Sequence, residues 1–393
     1  MDCKNFNEIS QEVINWRRDL HKIPEIGNDL PLTVKYVKEV LDSFGVEYRT
    51  DFSNDSSVVV TIKGSKGQSE KCIALRADMD GLPMSEELDL PFKAINGNMH
   101  ACGHDAHTAI MLGVVKTLNE MKAEFSGTVK ILFQPGEETN SGAEPMIEGG
   151  CLDGVDFIVG LHVGNISTEL EQGEIGVKSG PLMACMDKFT IDVKGNSSHG
   201  AYPQGSIDPV VISSNIITSI QTIISRELDP IDSAVISCCI VNGGTAFNII
   251  PDKVQIVGTA RALTKEVRKH ISERIGEIAK SIAQAYRGEV EYKYLFGPLP
   301  VINDDEVSKV IFESAKRAIG EDKVVELKKP VMGGEDFAYY LEKVPGTYVF
   351  LKNPLYVDGV SYPHHNGKFG LEEKYFVNGV KFFIQTVQDY LND

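Results

Sequence analysis

No stretch of about 18 consecutive apolar residues occurs in the chain, so a membrane-spanning helix is not expected. The opening Met-Asp-Cys-Lys-Asn also lacks the basic and then apolar layout of a secretory signal, and a cytoplasmic location is the expectation. Positive charge is short as well. Lys and Arg number 39 against 56 Asp and Glu, a formal net charge of −17, which argues against nucleic acid or an anionic membrane surface as a partner. Seven cysteines, odd in number and scattered, do not make a disulfide framework. Cys3, Cys72, Cys151, Cys185, Cys238 and Cys239 have no ligand spacing and are expected to be packing residues. Internal repeats and low-complexity segments are lacking too. What remains is an ordinary globular composition, 42% hydrophobic and 24% charged, over 393 residues. At a prior of about 150 residues per domain that length suggests two or three domains.

One stretch stands out. Met99 to Thr108 reads Met-His-Ala-Cys-Gly-His-Asp-Ala-His-Thr and is followed by an apolar run, Ala109 to Leu118, that reads as a helix. Thiolate and imidazole are the usual ligands of borderline metals such as zinc, whereas clustered histidines offer little to an apolar core. The plain alternative is a polar helix start capped by Asp105 with its histidines in water.

The flanking elements suggest where such a cluster would sit. Helical spacing covers Ser10–Lys22 and Pro31–Phe44, and Val58–Lys63 and Cys72–Ala77 read as strands, the second running into Asp78-Met79-Asp80-Gly81. Gly127–Phe133 is a strand followed by Gln134-Pro135-Gly136-Glu137-Glu138, and Val155–Leu161 is a strand with His162 at its end. Three strands thus deliver polar groups at their C-terminal ends, the edge where open α/β sheets bind ligands. From about Asp187 the order changes to strand Phe189–Lys194, helix Asp208–Leu228, strands Ala234–Val241 and Val254–Arg261, helix Lys265–Tyr286 and strand Glu289–Leu295. That βαββαβ order fits an inserted ferredoxin-like module. The expected layout is an α/β catalytic domain with a central mixed sheet in two parts, residues 1–186 and 297–393, and an inserted domain at 187–296. Apolar residues on the insert's strand faces suggest pairing with a second copy, hence a homodimer.

Gathered together, the candidate ligands are Cys102, His104, Glu138, His162 and one of His364 or His365. Five groups exceed one tetrahedral site but suit two metals sharing solvent. Singly, each has a bland reading: a solvated turn for Glu137-Glu138, a core histidine for His162, a surface loop for His364-His365. Hydrolysis also needs a base, and in the Glu-Glu pair one residue can ligate while its neighbour moves a proton. Glu138 is read as ligand and Glu137 as the general base and acid.

Six runs carry a resemblance: Arg18-Asp19-Leu20-His21-Lys22-Ile23-Pro24-Glu25, Ala77-Asp78-Met79-Asp80-Gly81-Leu82-Pro83, His100 to His107, Gln134-Pro135-Gly136-Glu137-Glu138, Ser198-His199-Gly200-Ala201-Tyr202-Pro203 and Gly333-Gly334-Glu335-Asp336-Phe337. In order and over nearly the whole chain, they resemble the amidohydrolase branch of the aminoacylase and carboxypeptidase dimetal metallopeptidase family. That branch includes hippurate hydrolases, N-acetyldiaminopimelate deacetylases and auxin-conjugate hydrolases. The resemblance implies a metallopeptidase-like catalytic domain with a ferredoxin-like lid or dimerisation domain. It implies two divalent ions, with manganese, zinc, nickel or cobalt as candidates, held by Cys102, His104, Glu138, His162 and His365. His365 is chosen over His364 because His365-Asn366-Gly367-Lys368-Phe369 matches a His-x-Pro-x-Phe motif, with glycine where proline is common. The resemblance further implies that Asp80 orients a metal ligand, that Asp78 is not itself a ligand, and that His199 reaches a partner subunit's site to donate to an oxyanion. Asn248, in Gly243-Gly244-Thr245-Ala246-Phe247-Asn248, would bind the substrate carboxylate, its bland alternative being a turn residue. The expected activity is hydrolysis of an N-acyl amino acid to a carboxylate and a free amino acid. The alternatives are a dipeptidase or carboxypeptidase and, more remotely, a non-catalytic metal and thiol redox sensor switched at Cys102.

Overall fold

The structure, a computed structural model, describes residues 3–53 and 55–392, with side chains from residue 6 onward; the expectation for Cys3 lies outside the described side chains. The chain divides into two units. The first comprises Met1–Leu182, Ile302–Val331 and Asp336–Asp393, and the second Met183–Val301 with Met332–Glu335.

The first unit is built on an eight-stranded mixed sheet in the order Tyr48–Arg49, Val58–Lys63, Thr128–Gln134, Cys72–Asp78, Phe157–Gly164, Gly346–Lys352, Ile175–Val177, Val324–Glu326. Four neighbouring strands, from Thr128–Gln134 through Gly346–Lys352, run parallel, while Val58–Lys63 is antiparallel to its neighbour. Cys72–Asp78, Phe157–Gly164 and Gly346–Lys352 are buried at every residue, which explains why they lack polar alternation: a parallel strand covered on both faces has no solvent side to show. The helix His104–Glu120 packs against this sheet and against the helices Cys3–His21 and Phe376–Asn392. Its Gly113 allows that packing, since a Cβ there would lie 2.7 Å from Val13 Cγ2 and 3.2 Å from Val380 Cγ2.

Several expected bounds differ here, the first helix for instance starting at Cys3 rather than Ser10. The helix expected from Ala109 begins at His104 instead, so His104 and His107 fall in its first turn and His100 lies ahead of it. The strand expected to end at Leu161 continues to Gly164, because its pairing with Gly346–Lys352 carries on to Gly164 opposite Lys352. His162 therefore lies inside the strand.

The second unit is a four-stranded antiparallel sheet in the order Ala234–Gly243, Lys253–Ala262, Asp187–Lys194, Glu289–Leu295, covered by helices Pro209–Thr222 and Lys265–Ala285. Lys253–Ala262 alternates buried and half-exposed residues, and Ile212, Ile216, Ile271 and Ile275 pack with Phe189, Ile191 and Ile256 in a core of its own. The first helix starts on an Asp208 cap, whose carboxylate accepts from the Val210 and Val211 N–H groups. It is regular only to Thr222 and ends in a π-helical turn, Ile223–Glu227, which shortens the helix expected to Leu228. Cys72, Cys151 and Cys185 are buried, but Cys239 is exposed: a bulge between Cys238 and Ile240 drops it from the register of the edge strand. No helix among the described residues is long and apolar enough to cross a membrane.

Candidate metal centre

Because the central strands run parallel, Asp78, Gln134 and His162 reach one edge of the sheet, where the chain also brings the start of the His104 helix. Gly103 makes the turn. Its φ is +93°, and a Cβ there would stand 2.7 Å from Val163 Cγ2, so only glycine lets Cys102 and His104 come so close to the strand carrying His162. Cys102 Sγ is 3.4 Å from His162 Nε2.

Asp80, just past the strand end, is buried and accepts three hydrogen bonds. His104 Nδ1 donates to Oδ1 at 3.2 Å, the Glu137 N–H to Oδ1 at 3.1 Å, and the Glu138 N–H to Oδ2 at 3.1 Å. One carboxylate thus fixes an imidazole and the backbone of both glutamates. It leaves His104 Nε2 facing the pocket, 3.9 Å from Glu137 Oε2 and 4.0 Å from Glu138 Oε1. The last member arrives from residue 365, whose N–H donates to the Ala101 carbonyl at 2.9 Å and whose Nε2 stands 3.2 Å from Glu138 Oε1. His365 has a φ of +60°, an uncommon conformation for a side-chain-bearing residue. Its neighbour His364 is turned away, donating from Nε2 to the Val163 carbonyl at 3.0 Å and lying against Phe369.

The structure therefore brings Cys102, His104, Glu137, Glu138, His162 and His365 together. Donor atoms lie within 4.8 Å of one another in the sets Cys102–His104–His162, Cys102–Glu138–His365 and His104–Glu137–Glu138. Their electrostatics favour positive charge. Burial opposes protonation of His104, yet Asp78, Asp80 and Glu138 lift its pKa to about 10. Burial also works against ionised Glu138, but His365 and His104 hold its pKa below the usual carboxylate range. His162 is the opposite case: burial, with His107 and His364 nearby, pushes it well below the usual range and keeps it neutral, as a ligand must be. His104 Nε2 is buried with no hydrogen-bond partner, a costly state for a polar atom facing two carboxylates. Thiolate, imidazole and carboxylate converging on such atoms fit divalent transition-metal ions.

Asp78 is occupied otherwise. Its Oδ1 accepts from His107 Nδ1 at 2.6 Å and its Oδ2 from Arg76 at 2.5 Å; burial opposes its ionisation, but His104, Arg76 and His107 hold it well below the usual carboxylate range. Arg76 also donates to Asp336 at 2.7 Å, and Gln134 Nε2 donates to both Asp336 oxygens. Behind the helix start, Asp105 pairs with Arg17 at 2.8 Å and His21 at 2.7 Å, and His21 reaches Glu86 at 3.1 Å. Asp105 is thus locked to the first helix rather than capping in water. Sequence reasoning did not single out Arg76, weighed Asp78 and His364 only as possible metal ligands and set them aside, and left His107 a supporting role. The available signals were spacing on one strand face for Arg76 and Asp78, and on one helix face for His104 and His107.

His199 and Asn248 lie in the second unit, not among these groups. They are neighbours on a two-stranded ribbon, Ser198–His199 paired with Ile249–Ile250, and the Gly200 N–H donates to the Asn248 carbonyl at 2.8 Å. Both side chains are exposed. His199 Nδ1 accepts from the Ala201 N–H at 3.1 Å, which leaves its Nε2–H as the outward donor.

Comparison with known proteins agrees with this chemistry. The sequence profile of Peptidase family M20/M25/M40 matches residues 74–389. An N-acetyl-L-cysteine deacetylase of Bacillus subtilis is 35% identical over 390 residues, covering 99% of this chain and 90% of its own. The thermostable carboxypeptidase 1 of Saccharolobus solfataricus is 39% identical, covering 94% of this chain and 93% of its own. Among solved structures, a dinuclear metal-binding peptidase of the M20 family from Bacillus subtilis superposes with a TM-score of 0.85 at 34% identity, over 98% of this chain and 99% of its own.

Proposed function

The chain belongs to Peptidase family M20/M25/M40, a hydrolase of amide bonds, and from that membership we propose that it cleaves N-acyl amino acids into a carboxylate and a free amino acid. The observation that carries the reading is the juxtaposition of a ligand set with the adjacent carboxylate of Glu137, with His104 and the backbone of Glu137 and Glu138 all bonded to Asp80. Cys102, His104, Glu138, His162 and His365 would hold two divalent ions, for which manganese, zinc, nickel and cobalt are candidates. Such ions, when bound, polarise a carbonyl and lower the pKa of water.

Glu137 is the proton carrier. Buried beside the ligands, it accepts a proton from the water that attacks the acyl carbonyl and returns it to the departing amine nitrogen. His199, whose Nε2–H points outward, reaches a partner subunit's site and stabilises the developing oxyanion there, and Asn248 binds the substrate carboxylate. The deacetylase relative supports an acyl amino acid as substrate; the carboxypeptidase relative supports a second reading, cleavage of a C-terminal residue from a peptide. A panel of N-acetyl, N-benzoyl and dipeptide substrates, with each metal added separately, separates the two. Turnover confined to dipeptides would overturn the first.

The second unit supports self-association. Its sheet ends in the strand Ala234–Gly243, on which Val235, Ile240 and Val241 are exposed, and an apolar edge strand is a template for pairing with another copy. We assign it to a homodimer of a soluble, cytoplasmic enzyme.

A further inference from the structure

Three histidines converge on the backbone of one residue, Val163. Its N–H donates to His107 Nε2 at 2.9 Å, and its carbonyl accepts from His162 Nδ1 at 2.8 Å and from His364 Nε2 at 3.0 Å. Each bond fixes a tautomer. His107 must carry its hydrogen on Nδ1, where it donates to Asp78 at 2.6 Å, and both its nitrogens are thereby committed although it lies among the candidate ligands. His162 must carry its hydrogen on Nδ1 and so turns the lone pair of Nε2 toward Cys102, 3.4 Å away. The rings of His107 and His162 meet edge to face with centroids 4.7 Å apart, so the one also sets the tilt of the other. Gly164 completes the arrangement: at φ +113° it leaves room for His364, whose Nε2 would stand 2.3 Å from any Cβ there.

We infer that His107 and His364 are positioning residues that act through the Val163 backbone to present His162 Nε2 to a bound ion, with Asp78 and Arg76 as the anchor behind His107. The inference rests on the metal reading of the site. His107 clamps the strand's N–H against a carboxylate that Arg76 holds in place, and His364 shares the carbonyl that orients the His162 ring. An imidazole free to rotate would present its lone pair to the site only part of the time; this one is held from both sides.

The test is ion affinity, measured by competition between Zn²⁺ or Mn²⁺ and a chromophoric chelator, alongside thermal unfolding in excess EDTA. His107→Leu keeps the volume and loses both hydrogen bonds, and it should bind ions about 10–100-fold more weakly. His107→Gln, which can accept from the Val163 N–H and donate to Asp78, should restore most of that affinity. A residue that only fills space would lower the unfolding temperature of the stripped protein in His107→Leu and leave its affinity unchanged, and that result overturns the inference. So would a folded His107→Gln that binds as weakly as His107→Leu. If His107→Leu does not fold, His364→Phe decides, since it keeps the contact with Phe369 and removes one donor: reduced affinity supports the inference and wild-type affinity overturns it. Failure of the amidase reading would leave these affinities as they are, whereas a wild-type chain that binds no divalent ion overturns the inference together with its premise.

Discussion

Asp80 accepts from one imidazole and two backbone N–H groups, and an amide in its place offers only one acceptor atom. Asp80→Asn should therefore lower ion affinity by about 10–100-fold, read by chelator competition. Glu137→Gln should behave differently: with the ligand set intact, ion content by elemental analysis stays at the wild-type level while turnover falls by about 10²–10⁴-fold. An unimpaired rate would sink the assigned role. At this scale the sequence was legible where chemistry is concentrated. Cys102 and His104 stand in a short run whose residue types have few other uses, and Glu137-Glu138 became legible only beside them, since an acidic pair alone reads as a solvated turn. The roles of His107 and His364 were not, because each depends on which backbone atom it meets, and Val163 lies 56 and 201 residues away in the chain.

Among the elements, the first turn of the His104 helix is the most constrained, since Gly103 combines φ +93° with a close approach to Val163. Gly103→Ala should cost about 1–3 kcal/mol of stability, measured by urea unfolding of the stripped protein. The edge strand Ala234–Gly243 invites the complementary experiment. A charge at its exposed apolar face, Val241→Lys, should convert a dimer to monomer in analytical ultracentrifugation with little change in unfolding temperature. Most elements could be read from periodicity. Val58–Lys63 carries its bounds in its composition, flanked by serines on one side and Gly64 on the other. Phe157–Gly164 could not be bounded in the same way, because its last three residues are held by pairing with Gly346–Lys352, nearly 200 residues on. The π-helical turn after Thr222 likewise leaves no mark on an apolar pattern that continues through Leu228.

For the whole molecule, the candidate ligands are spread over 264 positions, from residue 102 to residue 365, and no single element holds more than a part of them. Ion binding is then linked to folding of the first unit. Stripping with EDTA should lower the unfolding temperature, and restoring ions at 100 times Kd should return about 2.7 kcal/mol per site. An unfolding temperature indifferent to chelator would argue against ions in this site. The two units themselves follow from a change in the order of strands and helices that the sequence carries openly; the meeting of the candidate ligands within the first unit does not, because nothing local marks residue 365 as a neighbour of residue 138. That same chain order has a consequence for how the enzyme is made. Translation proceeds from the N-terminus, so Cys102, His104, Glu138 and His162 leave the ribosome first, then all of residues 183–301, and only later His365. A nascent chain paused within the second unit holds four of the five proposed ligands. The full proposed ligand set is therefore complete only after the insert has been synthesised.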